Sequence, residues 1–80
     1  MSISAALQKR IIQLCKENNI TVNKLAVKSG ITQSTLNNIT GGRNNSATVS
    51  TIKKICDGLN ISIAEFFDCE LFYDLEQEIK

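Results

Sequence analysis

Between Thr32 and Thr40 the chain sets seven hydroxyl or amide side chains around two apolar ones, Leu36 and Ile39. Leu36 and Ile39 stand three apart, so on a helix they share one face and leave Gln33, Ser34, Thr35, Asn37, Asn38 and Thr40 to point elsewhere. Amides, and hydroxyls like them, can donate and accept hydrogen bonds at once. An outward face built from such groups carries no charge, which is unusual for a surface whose only task is solubility. It matches the donor and acceptor patterns that base pairs display in the major groove of double-stranded DNA. The expectation is a short amphipathic helix over 32–40 that enters such a groove.

A helix of this kind needs a second element to hold it, and the preceding residues supply one. Leu25 and Ala26 precede Gly30 by five and four residues, and Ile31 and Thr32 follow it directly. Ala26 is small where two helices must come close, and Gly30 can adopt the positive φ of a tight turn without a Cβ clash. Ile31 then turns inward, and Thr32 caps the next helix by accepting from its free N–H groups.

These residues, Leu25-Ala26-(x)3-Gly30-Ile31-Thr32-Gln33-Ser34-Thr35-Leu36, resemble the phage repressor/Cro-type helix-turn-helix family. The later run Thr48-Val49-Ser50-Thr51-Ile52-Lys53-Lys54-Ile55-Cys56-(x)2-Leu59-Asn60-Ile61-Ser62-(x)2-Glu65-Phe66-Phe67 is similar to the closing two helices of that family. Two segments in the right order and at the right distance make the resemblance far more specific than one helix-turn-helix pattern. It implies an all-α, compact five-helix, lambda-repressor-like domain over residues 1–68; beyond what the resemblance needs, residues 69–80 read as an acidic amphipathic tail with room for an extra helix.

What the resemblance implies for function is a sequence-specific transcriptional regulator, a repressor that occupies its site as a dimer. Base contacts then fall to Gln33, Ser34, Thr35, Asn37 and Asn38, the amides being suited to adenine N7 and N6. The recognition helix holds no Lys or Arg, so phosphate contacts fall to Asn23, Lys24, Lys28, Thr32, Arg43 and Asn44, with Lys9, Arg10 and Lys53 as further candidates. Val22 replaces a glutamine common in the family, which leaves Asn23 as its substitute. Thr40 and Ala47 replace a common glutamate and a common proline on either side of the Arg43 loop. A competing reading uses the same fold as a protein-interaction adaptor or antitoxin-like module whose acidic tail binds another protein.

The elements that position this face can be read in order. The first helix is expected from about Ser4 to Asn18, with Leu7, Ile11, Leu14 and Cys15 inward and Lys9, Arg10, Lys16 and Glu17 off that stripe. Asn19 is the expected left-handed stop, and Thr21 caps a second helix, Val22 to Ser29. Residues 41–47 read as a loop. Thr48 caps a fourth helix with Val49, Ile52, Ile55, Cys56 and Leu59 on one face, and Asn60 ends it. Ser62 and Glu65 form a capping box, with Ile61 and Phe66 as its hydrophobic staple, for a fifth helix from Ile63 to Phe67. Ile63, Phe66 or Phe67 should plug the core.

In the tail, Leu71, Phe72, Leu75 and Ile79 fall on one helical face and are expected to be buried, either back on the domain or against a second copy. Two-fold half-site recognition favours the homodimer. A short strand at Leu71-Phe72-Tyr73 is the lesser alternative.

Composition bounds the rest. Eighty residues with 42% apolar content suit one small domain. No apolar run approaches the roughly 20 residues of a membrane span, and no leader pattern opens the chain, so the expected compartment is the cytoplasm. The net charge of +1 conceals a division. Residues 1–56 carry eight basic side chains against Glu17 alone, whereas residues 57–80 carry seven acidic ones against Lys80. The basic part is the one that would face DNA. Cys15, Cys56 and Cys69 are widely spaced and accompanied by no histidine, so no metal or cofactor is expected; Cys69 is the candidate for redox sensitivity. Without histidine or a glycine-rich phosphate loop, neither an enzyme nor a small-molecule substrate is expected.

Overall fold

The computed structural model describes residues 1–41 and 47–79. Its described residues form five helices, α1 (Ile3–Glu17), α2 (Val22–Ser29), α3 (Gln33–Thr40), α4 (Val49–Leu59) and α5 (Ile63–Phe67), followed by a 3-10 turn at Glu70–Phe72. There is no strand among them. None of these helices is long and apolar enough to cross a membrane.

Each helix start is a side-chain cap. Ser2, Thr21, Thr32, Thr48 and Ser62 each accept the backbone N–H three residues on. This occupies one of the donors that a helix start leaves unpaired. Because Ser2 is the first cap, α1 begins one residue earlier than its apolar stripe suggests. Ser62 and Glu65 complete the reciprocal capping box. Three left-handed residues close helices or their exits, Asn19 at φ 56°, Gly30 at φ 69° and Asn60 at φ 58°.

One core joins all five helices. Leu7, Ile11, Leu14 and Cys15 of α1 meet Leu25 and Ala26 of α2, Leu36 and Ile39 of α3, and Ile52, Ile55, Cys56 and Leu59 of α4. Phe66 is the plug: it is fully buried, while Phe67 is half-buried and Ile63 remains 38% exposed. Burying one such side chain contributes about 3 kcal/mol, enough to hold a helix of five residues that could not persist alone. Val49 departs from its expected inward place. It is 75% exposed because the first turn of α4 projects beyond the core that begins at Ile52.

Arg10 also departs from its expected place off the stripe. It is buried, and its guanidinium closes the end of α5. Nε donates to the Phe66 carbonyl at 2.7 Å, one terminal nitrogen to the Glu65 carbonyl at 2.9 Å, and the other to Gln13 Oε1 at 2.7 Å. The end of a helix exposes carbonyls and a partial negative charge, so a cation there replaces water with three charge-assisted bonds. Arg10 is therefore a structural residue and no longer a candidate for phosphate.

Cys15 and Cys56 are buried free thiols, and burial pushes both up from the usual thiol range. Cys69 is half-buried, its Sγ 3.6 Å from Gln13 Oε1.

The tail does not form the expected amphipathic helix, nor the alternative strand. After the single 3-10 turn the chain runs irregularly, and the Glu76 N–H donates to the Met1 carbonyl at 3.1 Å. Cys69 offers no side-chain cap. Glu70 suits the start of a helix, but Glu76 and Glu78 would lie toward its C-terminal end and oppose its dipole, which adds to the cost of nucleation. Phe72 instead joins Phe66 and Phe67, with ring centroids 6.2 and 4.9 Å away. Leu71 and Leu75 are half-buried, while Ile79 is 88% exposed.

Candidate nucleic-acid interface

The α2 to α3 connection is a tight turn. Gly30 donates to the Val27 carbonyl at 3.3 Å and Ile31 to the Ala26 carbonyl at 3.2 Å, so the end of α2 is hydrogen-bonded before the chain changes direction. Ile31 then packs half-buried against the core, as its place in the sequence requires. Ala26, buried to 0% exposure, lets α2 lie close to its neighbours. These contacts fix how α3 leaves the body.

A second close approach steadies α2 from behind. A Cβ on Gly58 of α4 would lie 2.5 Å from Ser29 Oγ and 3.1 Å from the backbone of Lys28 and Ser29. Only a residue without a side chain permits that spacing. Ser29 Oγ is buried there with no hydrogen-bond partner among the described residues.

On α3 the anchors Leu36 and Ile39 are 0% and 6% exposed, and the polar face points outward. Gln33, Ser34 and Asn37 are exposed, and Thr35 and Asn38 are half-buried on the flanks. No hydrogen bond to another described residue engages the side chains of Gln33, Ser34, Asn37 or Asn38. The threonines behave differently. Thr32 Oγ1 accepts the Thr35 N–H at 3.0 Å and donates to Thr35 Oγ1 at 2.8 Å, and Thr40 Oγ1 donates back to the Leu36 carbonyl at 3.1 Å. The Thr32 to Thr35 hydroxyl pair was not singled out in the sequence, although its three-residue spacing is the available signal.

Asn23, Lys24 and Lys28 are exposed on α2, and Thr32 is exposed at the cap of α3. Neither lysine is in an ion pair among the described residues, where Lys53 with Asp57 forms the one such pair. Neither is therefore committed to a described carboxylate on the helix that precedes the polar one. Arg43 and Asn44 lie outside the described residues. The acidic tail, for its part, packs its 3-10 turn on α1, and Gln33, Ser34 and Asn37 stay exposed with the tail in place.

A profile of the Cro/C1-type helix-turn-helix DNA-binding domain matches residues 10–71. The chain is similar to the HTH-type transcriptional regulator SlrR of Bacillus subtilis (strain 168), with 37% identity over 62 residues. That stretch is 76% of this chain and 41% of SlrR, so the chain spans about two fifths of the relative's length. No solved structure matches. The five-helix fold, the capped turn before an outward polar helix and the profile match together show that the chain belongs to the Cro/C1-type helix-turn-helix DNA-binding family.

Proposed function

We propose that this chain is a sequence-specific transcriptional regulator that sets α3 in the major groove of double-stranded DNA, binding as a dimer and repressing by occupancy. The observation that carries the reading is the face of α3, whose uncharged amides, exposed at Gln33 and Asn37 and half-buried at Asn38, are engaged by no other described residue. Gln33, Ser34, Thr35, Asn37 and Asn38 read base edges in this scheme, each good bidentate amide contact being worth roughly 1 to 3 kcal/mol of discrimination. Asn23, Lys24, Lys28, Arg43 and Asn44 grip phosphates. Thr32 contributes to that grip through its main-chain N–H, since its hydroxyl hydrogen is committed to Thr35. The name of the relative, a transcriptional regulator, supports the regulatory role.

For the dimer, Leu71, Leu75 and Ile79 offer apolar surface, whereas Phe72 is already packed on its own domain. A second reading, an adaptor or antitoxin-like partner, draws on the exposed Tyr73 and Ile79 within an acidic tail. Binding to a mixed-sequence duplex pool separates the two. A dimeric DNA binder should lose affinity with salt at a log–log slope of about −4 to −7, and no binding at low salt would end the regulator reading. Against duplexes selected from a random library, Gln33→Ala should relax base preference. Lys24→Met should weaken all sequences alike and reduce the salt slope by about 1.

A further inference from the structure

The three threonines of the recognition segment dispose of their hydroxyl hydrogens in different ways. A hydroxyl has one hydrogen to give. Thr32 gives its own to Thr35 Oγ1 and Thr40 gives its own to the Leu36 carbonyl. Thr35 receives on its oxygen, and among the described residues no acceptor takes its hydrogen. The side chain is half-buried at the edge of the polar face, and as a β-branched residue it has few rotamers to choose from. Accepting from Thr32 polarises the Thr35 hydroxyl and makes it a stronger donor outward.

We infer that Thr35 acts as a hydrogen-bond donor in duplex recognition, held in that role by Thr32 as a positioning residue. Its partner is an acceptor atom on the duplex: a non-bridging phosphate oxygen, or guanine O6 or N7, adenine N7 or thymine O4 at a base edge. Opposite an amino group, such as cytosine N4, the hydroxyl hydrogen would be desolvated and unmatched. This inference rests on the reading of α3 as the DNA-facing helix.

Three substitutions in the full chain test it. Thr35→Val keeps the shape and removes the hydroxyl. Thr35→Ser keeps the hydroxyl and removes the methyl. Thr32→Asn keeps a good neutral cap, but its amide oxygen takes the Thr35 hydrogen and reverses the bond. Affinity for a duplex selected by the unmodified chain is read by fluorescence anisotropy, with thermal melts as the check on folding. Thr35→Val should weaken binding about tenfold, and Thr35→Ser should bind nearly as the unmodified chain does. Thr32→Asn should weaken binding like Thr35→Val at an unchanged melting temperature, and add nothing when the two are combined. A purely structural role for Thr32 would not produce that non-additivity. Should Thr35→Val fail to fold, Thr35→Ala takes its place.

Methylphosphonates placed one at a time, and 7-deazapurines or single base-pair changes, identify the acceptor. The modification that removes the difference between the unmodified chain and Thr35→Val marks the partner atom as phosphate or base. Unchanged affinity for Thr35→Val, or additive losses in the double variant, overturn the inference while leaving the DNA reading intact. If the unmodified chain binds no duplex at all, the DNA reading fails and takes this one with it.

Discussion

Helices α3 and α4 begin alike and end up with different surfaces. Each opens on a threonine whose Oγ1 accepts the N–H of a second threonine three residues on, at 3.0 Å in both, and in each pair the two hydroxyls are in contact, at 2.8 and 3.0 Å. Neither has an acidic residue in its first turn. Past the cap, α4 buries Ile52, Ile55, Cys56 and Leu59 and clothes its outer side with Lys53, Lys54 and Asp57, of which Lys53 and Asp57 pair with each other. Helix α3 buries only Leu36 and Ile39 and presents neutral amides that pair with no other described residue. The cap chemistry starts a helix but does not say what it is for. That information is in whether the surface polar groups find partners within the molecule.

The comparison holds at the core if both helices are anchored equally. Leu36 and Ile55 are each 0% exposed, so Leu36→Ala and Ile55→Ala should each cost about 3 kcal/mol in urea unfolding. A much cheaper Leu36→Ala would mean that α3 is held less firmly than α4. Gly58→Ala comes next, at about 2 kcal/mol, because the new methyl drives α4 against the backbone at the end of α2. Ser29→Ala alone should be neutral or slightly stabilising, since it deletes a buried hydroxyl that has no described partner. In combination it should relieve part of the Gly58→Ala loss.

The two caps then give the sharpest contrast. Thr32→Ala and Thr48→Ala should each cost about 1 kcal/mol of stability. Only Thr32→Ala should weaken DNA binding beyond the loss of folded protein, and equal effects on DNA would erase the distinction between the helices. The smallest effect belongs to the exposed pair on α4. The hydrogen bond and charge of Asp57 raise Lys53 above the usual lysine range. The associated stability is present at lower pH and lost as pH rises through that raised value. Water screens it, and Lys53→Met should leave the melting temperature unchanged at neutral pH.

Much of this molecule was legible from the order of its residues, and the legible parts share a cause. The caps at Thr21, Thr32, Thr48 and Ser62, the left-handed stops at Asn19, Gly30 and Asn60, and the Ser62 to Glu65 box all join atoms within four residues of one another. The polar face of α3 is legible for a related reason, since Leu36 and Ile39 decide by their spacing which side turns inward. Tertiary packing decided the rest. Arg10 is a surface cation by helical position, but its partners, the carbonyls of Glu65 and Phe66, lie 55 and 56 residues away along the chain. Gly58 looks like a neutral interruption of α4 until the end of α2 is brought against it. The tail has the spacing of an amphipathic helix, yet Phe72 finds Phe66 and Phe67 first, and a ring packed there outweighs a helix with no cap and an adverse dipole. Local bonds are fixed by neighbours in sequence, whereas burial depends on which distant surface arrives, and that is settled only when the five helices close on one core.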